Sequence, residues 1–171
     1  MWSMATYHHG DLPAALLGAA GKALERDGPG GLSLRDAARR AKVSHNAPYR
    51  HFKDRQALLV ALAEEGFHML RERLRGLGPL EMGEAYVRFA CQHPQRFRLM
   101  FCGSPQLKAA AQEAYAALKA AMADVARTEE AAAAAWSLVH GLALLTLDGH
   151  FGEDGFQRRA LAAVRFAQRG S

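Results

Sequence analysis

The sequence contains few of the features that build disulfide-bonded, membrane-spanning or secreted proteins. Its 171 residues include two cysteines, Cys91 and Cys102, which are too few for a disulfide framework and lack the spacing of a zinc motif. The longest apolar run, 131–147, is short for a membrane span and is interrupted by polar residues. Residues 1–6 lack the basic and apolar parts of a signal peptide. We therefore expect packed, reduced thiols, no membrane partner and a cytoplasmic location.

Groupings that carry catalysis or bind cofactors are also missing from the sequence. The eight histidines have no spacing that sets two of them on one helix face beside a carboxylate or a thiol. We find no nucleophile elbow, no phosphate-binding glycine loop and no carboxylate pair with a catalytic rationale. We therefore expect no metal, no cofactor and no catalytic residues, and an enzyme is the least favoured class of function.

What the sequence does contain is a helical pattern. Alanine is abundant, prolines number six, and no stretch alternates as a strand does. Capping residues and glycine or proline breaks mark the ends, and Asp11, Ser33, Ser44 and Asp54 are the predicted N-caps. An all-α chain is predicted, with the most linker-like stretch at 76–79. The predicted helices cover about 12–27, 34–41, 45–51, 55–75, 81–92, 95–102, 105–127, 128–151, where Gly152 ends the helix, and 154–168.

Positive charge is concentrated in one short segment. Residues 33–55 carry seven lysines and arginines against two aspartates, and so hold the whole net charge of +5. A focused cationic patch suits a polyanion. Taken alone, the charge favours a solvated basic face.

Two short helices separated by a tight turn lie within this segment. The first carries small residues where two helices would cross, at Ala37, Ala38 and Ala41. Val43 is an apolar turn residue, and the second helix opens with polar side chains flanked by cations on both sides. A helix-turn-helix that inserts its second helix into the major groove needs these features. A purely structural helical hairpin accounts for the alanines and Val43, but not for the polar opening and its flanking cations.

Residues 32–67 resemble the DNA-binding segment of TetR-family regulators, and the leading helix extends the likeness to about 7–67. Arg55 stands where the family usually has lysine, Lys42 replaces the usual turn glycine, and Pro48 lies inside the short second helix, so that this helix is expected to start late or to be tight. The residues that match the family pattern are Ser33, Arg35, Asp36, Ala38, Ala41, Val43, Ser44, Tyr49, His51, Phe52 and Leu58.

The resemblance implies an architecture and a function. It implies an all-α fold in which an N-terminal three-helix helix-turn-helix domain is joined by a long helix to a C-terminal helical bundle. Residues 1–75 would bind DNA, and residues 76–171 would bind an effector and dimerise. The implied protein is a ligand-responsive transcriptional regulator, a repressor by expectation. It would bind a palindromic double-stranded DNA operator as a homodimer and respond to a small hydrophobic effector.

The resemblance also implies which residues meet DNA. Residues 44–48, above all His45 and Asn46, would lie at base edges, whereas Tyr49 and Arg55 would contact phosphates. Phe52 would pack in the core of the domain. The predicted DNA-binding set is Ser33, Arg35, Lys42, Ser44, His45, Asn46, Ala47, Pro48, Tyr49, His51, Lys53 and Arg55.

The C-terminal half gives shorter signals. Trp136, His140 and Gly141 resemble the Trp-x-x-x-His-Gly signature of one TetR subgroup, and this helix with the last one could form a dimer interface or merely complete the monomer core. Aromatic and methionine enrichment suggests an adaptable apolar cavity, although packing explains any single residue. The predicted effector-binding set is Tyr86, Phe89, Phe97, Met100, Phe101, Tyr115, Met122, Trp136 and His140.

One alternative function stays open at this point. A helical small-molecule carrier or protein-interaction module could use the basic helices to contact an acidic partner and the apolar residues to hold its cargo. Absence of DNA binding at low salt would favour this alternative.

Overall fold

The computed structural model describes residues 12–103, 105–107, 112–113, 115–116, 119 and 129–150, and every regular element within these residues is a helix. The all-α prediction is therefore confirmed. The α-helices are α1 (Leu12–Asp27), α2 (Leu34–Arg40), α3 (Arg55–Leu74), α4 (Pro79–Gln92), α5 (Pro94–Met100) and α6 (Glu129–Leu147). Short 3₁₀ turns cover Pro29–Gly31, Ala47–Arg50 and Pro105–Leu107.

Several predicted features lie outside the described residues. These are the Asp11 cap, Gly152 and the last helix over 154–168. Within the helix predicted over 105–127, the described residues form the 3₁₀ turn and helical positions at 112–113, 115–116 and 119. Packing divides the chain between Leu62 and Ala63, inside α3, into an N-terminal and a C-terminal unit. The functional boundary predicted after residue 75 stays a prediction.

In the N-terminal unit, α1 packs against α2 and buries Leu16, Leu24 and Ala38. Gly28 ends α1 with φ 69°, a conformation that glycine adopts at little steric cost. The cap of α2 is as predicted, because the Ser33 Oγ accepts the Asp36 backbone N–H at 3.0 Å. These contacts fix the helix that braces the turn and the short helix beyond it.

The long helix α3 is capped by Asp54, whose Oδ1 accepts the Ala57 backbone N–H at 2.8 Å. Its predicted apolar face is buried throughout, and that face comprises Leu58, Leu59, Leu62, Ala63 and Phe67. The helix ends before Gly76, which has φ 72°. The capping and periodicity of this helix were therefore predicted correctly.

In the C-terminal unit, α4 packs along α6 and α5 follows α4 directly at Pro94. The helix α6 ends at Leu147 rather than near Phe151, because Gly149 takes φ 75°. The Gly149 N–H then donates to the Thr146 carbonyl at 2.9 Å, and the His150 N–H to the Leu145 carbonyl at 3.0 Å. This pair of bonds is a Schellman cap.

Both cysteines are free thiols. Cys91 is half-buried, and burial raises the pKa of its thiol. Cys102 is exposed, which corrects the expectation that it is packed, because it lies in the turn that follows α5. Among the described residues, no helix combines the length and the apolarity that a membrane span would need.

Candidate DNA-binding surface and effector site

The turn after α2 places a lysine at a position that usually belongs to glycine. Lys42 has φ 57°, and its N–H donates to the Arg39 carbonyl at 3.2 Å. The Val43 N–H donates to the Ala38 carbonyl at 3.0 Å, which completes a Schellman cap. The Lys42 side chain is exposed at this left-handed position. The sharp turn directs the chain into the short helix.

The short helix differs from the prediction of an α-helix capped by Ser44. It is a 3₁₀ turn over Ala47–Arg50, with Asn46 at the N-cap position. An α-helix that begins after Ser44 would require a bond from residue 48 to the Ser44 carbonyl, and Pro48 has no N–H to donate. The Ala47 N–H donates to that carbonyl instead, at 2.9 Å. The late, tight start follows from Pro48.

The segment from 44 to 53 alternates between exposed polar residues and two buried anchors. Pro48 and Phe52 are buried, Phe52 as predicted. Pro48 departs from its predicted place at a base edge, because its buried ring cannot reach one. Ala47 is half-buried and Tyr49 is 49% exposed. The exposed polar residues of the segment are Ser44, His45, Asn46, Tyr49, Arg50, His51 and Lys53.

Ion pairs neutralise some of the cations of residues 33–55 and leave others free to contact DNA. Asp36 binds Arg39 and Arg40, and hydrogen bonds from Arg40 and then Arg39 lower the pKa of its carboxyl. Within residues 33–55, four exposed cations form neither an ion pair nor a side-chain hydrogen bond with any other residue that the structure describes, whereas Arg55 is held by backbone carbonyls. The four are Arg35, Lys42, Arg50 and Lys53. We call them, with Ser33, Ser44, His45, Asn46, Tyr49 and His51, the basic surface.

In the C-terminal unit, six predicted effector residues form an aromatic cluster. The Tyr86 Oη lies 2.8 Å from His140 Nδ1, and the Trp136 Nε1–H donates to the same Oη at 3.2 Å. The Phe101 ring centroid is 4.6 Å from that of His140. The members of this aromatic cluster are Tyr86, Phe97, Phe101, Tyr115, Trp136 and His140, linked by ring contacts of 4.6–6.3 Å.

Two family models match the chain in succession. Residues 16–62 match the model described as bacterial regulatory proteins of the tetR family, and residues 80–167 match the tetracyclin repressor-like C-terminal domain. The chain belongs to the TetR family. It is therefore a ligand-responsive, DNA-binding transcriptional regulator, as its sequence predicted. The N-terminal match covers the helix-turn-helix and the first part of α3.

Solved structures agree with this membership. A protein of unknown function from Rhodococcus sp. RHA1 is 33% identical, with a TM-score of 0.81 over 98% of each chain. A TetR-family transcriptional regulator from Streptomyces coelicolor is 20% identical, with a TM-score of 0.71 over 88% of this chain and 76% of that one. The multidrug binding protein EbrR, complexed with imidazole, is 21% identical, with a TM-score of 0.68 over 95% of this chain and 92% of that one. No curated protein matches the chain.

For this TetR-family chain, Arg55 has contacts that the resemblance did not indicate. Its Nε donates to the Leu32 carbonyl at 3.0 Å, and its Nη2 donates to the Pro29 carbonyl. The guanidinium thereby ties the start of α3 to the loop between α1 and α2. Its predicted phosphate contact stays a prediction. Arg50 is exposed on the basic surface, although the predicted DNA-binding set does not include it.

Two members of the predicted effector set, Phe89 and Met100, form no ring contact or hydrogen bond with the aromatic cluster among the described residues, and a third lies outside them. Phe89 is buried against His93, with ring centroids 5.0 Å apart. Met100 is buried against Gly66, where an added Cβ would lie 2.6 Å from its Sδ. Met122 lies outside the described residues. Phe89 and Met100 are buried in the core, and their predicted effector contacts stay predictions.

Burial sets the ionisation of the polar residues in the cluster. Burial raises the pKa of the Tyr86 phenol far above its ordinary value and lowers the pKa of the His140 imidazole below 6.5. Both side chains are therefore neutral at pH 7. Each can offer or accept hydrogen bonds without a charge.

Proposed function

We propose that this regulator acts in the cytoplasm as a homodimeric repressor that binds an inverted-repeat operator through the basic surface. The observation that carries the proposal is the exposure of His45, Asn46 and Tyr49 above the buried anchors Pro48 and Phe52. Polar groups held on a rigid support can read base edges, and the surrounding cations can hold phosphates.

Dimerisation follows from the operator symmetry and is supported by one face of α6. Leu138 and Leu145 are 39% and 43% exposed. Ala134 and Gly141 occupy the same helical face, at spacings of three and four residues. Apolar residues exposed in a line on one helix face suit contact with a second copy of the chain. An isologous contact would then place two copies of the basic surface against the two half-sites of the operator.

A small hydrophobic effector at the aromatic cluster completes the proposal. Tyr86 and Phe97 are fully buried there, whereas Phe101, Tyr115, Trp136 and His140 remain partly exposed. A partly open aromatic surface suits an apolar ligand. The structural relative described as a multidrug binding protein with imidazole bound also favours a small-molecule site in this fold.

Selection of genomic fragments by the purified protein, followed by footprinting, tests the function. We expect protection of an inverted repeat and an affinity that falls steeply with salt. Asn46→Ala should relax base preference at one position, whereas Tyr49→Phe and Lys53→Gln should weaken all sites alike. Arg88→Gln, on the exposed side of α4, is the matched control and should bind normally.

Two outcomes of these experiments would contradict the proposed function. Absence of binding at low salt would overturn the DNA-binding role and leave the helical carrier module as the better account. If Asn46→Ala and Tyr49→Phe bound like the unmodified protein, the assigned roles would be wrong.

A further inference from the structure

The buried hydroxyl of Tyr86 fixes the direction of a hydrogen-bond chain. The Tyr86 Oη accepts the Trp136 Nε1–H, since indole nitrogen can only donate. Its own proton needs an acceptor, because a buried hydroxyl left without one is destabilising. Among the described residues, His140 Nδ1, 2.8 Å away, is the other hydrogen-bond partner of this oxygen. The Tyr86 O–H therefore donates to His140 Nδ1.

This direction decides where the imidazole of His140 carries its proton. A nitrogen that accepts a hydrogen bond has a free lone pair, so in the neutral ring the proton must lie on the other nitrogen. His140 Nε2 is then an N–H donor. No hydrogen-bond partner for Nε2 is found among the residues that the structure describes.

Some of the rings around this donor are buried, and the others are partly exposed to solvent. Tyr86 and Phe97 are 2% and 0% exposed, and their ring centroids lie 6.2 and 5.5 Å from that of His140. Phe101, Tyr115 and Trp136 are partly exposed, and so is His140 itself. A ligand that approaches from the exposed side would meet ring faces and edges together with one N–H group.

We propose that His140 Nε2–H is a specificity-determining donor, which selects effectors that combine a planar aromatic body with a hydrogen-bond acceptor atom. The inference rests on the proposed effector site and adds the polarity of the ligand. Aromatic rings in offset or edge contact favour a planar partner. A ligand that offers only N–H groups, or no polar atom, leaves the Nε2–H without a partner and binds more weakly.

Ring NMR of histidine tests the tautomer directly. Protein labelled with ¹⁵N-histidine at pH 7.5 should show His140 protonated at Nε2 and bare at Nδ1. The signal is assigned through its loss in His140→Phe. Tyr86→Phe removes the donor to Nδ1 and should shift the ring toward a mixture of tautomers. An Nδ1-protonated ring in the unmodified protein would overturn the proposal.

Calorimetric titration without DNA tests the selectivity. Three bicyclic probes of similar size are used at pH 7.5: quinoline, which has an acceptor nitrogen, indole, which has only a donor, and naphthalene, which has neither. We expect quinoline to bind about five- to tenfold tighter than the other two, as one net hydrogen bond allows. His140→Phe should bind all three alike, and Arg88→Gln should keep the preference.

Equal affinities in the unmodified protein, a preference that survives in His140→Phe, or no binding of any probe would each overturn the proposal. Because the titration contains no DNA, these outcomes leave the operator-binding role intact. Loss of operator binding, with the quinoline preference present, would instead count against the proposed function alone.

Discussion

Lys42 combines a strained backbone position with a useful charge. A non-glycine residue at φ 57° carries a local penalty of about 1–2 kcal/mol. The exposed ammonium lies beside the short helix, where it can reach a phosphate. Folding and DNA binding therefore have opposite preferences at this residue.

Lys42→Gly should separate the two effects. We expect the free energy of unfolding to rise by about 0.5–1 kcal/mol, since glycine relieves the strain but also gains freedom in the unfolded chain. Operator affinity should fall, and the salt dependence should decrease by about one phosphate contact. Urea unfolding and salt-dependent binding measure the two quantities. Lys42→Gln, the control, should lose affinity without gaining stability, and a destabilised Lys42→Gly would contradict the strain argument.

His140 gives the protein a pH dependence of known sign. Well above pH 6.5 the ring is neutral in both the folded and the unfolded chain. Below 6.5 the unfolded chain takes up a proton before the folded chain does, because burial lowers the pKa of the folded imidazole. The contribution of His140 to stability is therefore present above pH 6.5 and is lost as the pH falls through the interval down to its lowered pKa. Among the described residues, the titratable group that contacts it is Tyr86 from α4, while α5 contributes Phe97 and the residue after α5 is Phe101.

Urea unfolding at pH 7.5, 6.5 and 5.5 checks this expectation. The loss of stability on acidification should be smaller in His140→Phe than in the unmodified protein. His150→Gln replaces an exposed histidine and should leave the loss unchanged. An identical pH profile in His140→Phe would show that the ring is not held neutral by its surroundings.

At the scale of helices, Gly66 permits a close approach of α3 and α5. A Cβ at this position would lie 2.6 Å from Met100 Sδ and 3.0 Å from Arg96 Cγ. The Arg96 Nη1 also donates to Glu65 Oε2 at 2.6 Å, so the neighbouring side chain is anchored. The contact therefore has little room to relax around a larger residue.

Gly66→Val should destabilise the chain by about 1–3 kcal/mol through overpacking. Gly18→Val is the matched control, because among the described residues no atom beyond the backbone of its own helix lies within 4 Å of a Cβ at that position. Denaturation midpoints measure both. Adding Met100→Ala should cost less in the Gly66→Val background than in the unmodified protein, since it makes room for the new side chain. Equal costs in both backgrounds would contradict a direct clash.

The sequence allowed most of the helices to be predicted, because their ends carry local chemistry. Ser33 and Asp54 cap through their own side chains, and Gly28 and Gly76 stop helices by their backbone conformation. The end of α6 was misplaced because two nearby glycines could both end it, and only the backbone shows that Gly149 does. Pro48 signalled a late, tight start of the short helix, but not that it would remain a single 3₁₀ turn.

Long-range contacts could not be predicted in the same way. Tyr86 and His140 are 54 residues apart. Helical periodicity predicts which face of each helix is buried, but not which residue of another helix that face contacts. Arg55 meets the Pro29 and Leu32 carbonyls because a 3₁₀ turn positions that loop, and no sequence pattern encodes carbonyl directions. Composition indicated an aromatic site, but the structure was needed to show which of the predicted residues lie together in the aromatic cluster.

At the scale of the whole molecule, recognition of an inverted repeat needs two copies of the basic surface held in a fixed relation. One copy of the chain supplies one basic surface. The apolar stripe of α6, formed by Ala134, Leu138, Gly141 and Leu145, offers a surface through which a second copy could bind. Small residues between two leucines would let the helices approach closely, as tightly packed helix pairs require.

A charge placed in the stripe should therefore separate the two copies. Leu138→Glu combined with Leu145→Glu should convert the dimer to a folded monomer, because both carboxylates would have to be buried in an apolar contact. Sedimentation velocity measures the mass, and circular dichroism shows that helix content is kept. Operator affinity should fall by at least about a hundredfold, since the second half-site is no longer bound in the same complex. Arg88→Glu adds a similar charge on α4 and should stay dimeric. A Leu138→Glu, Leu145→Glu protein that sediments as a dimer would place the subunit contact elsewhere.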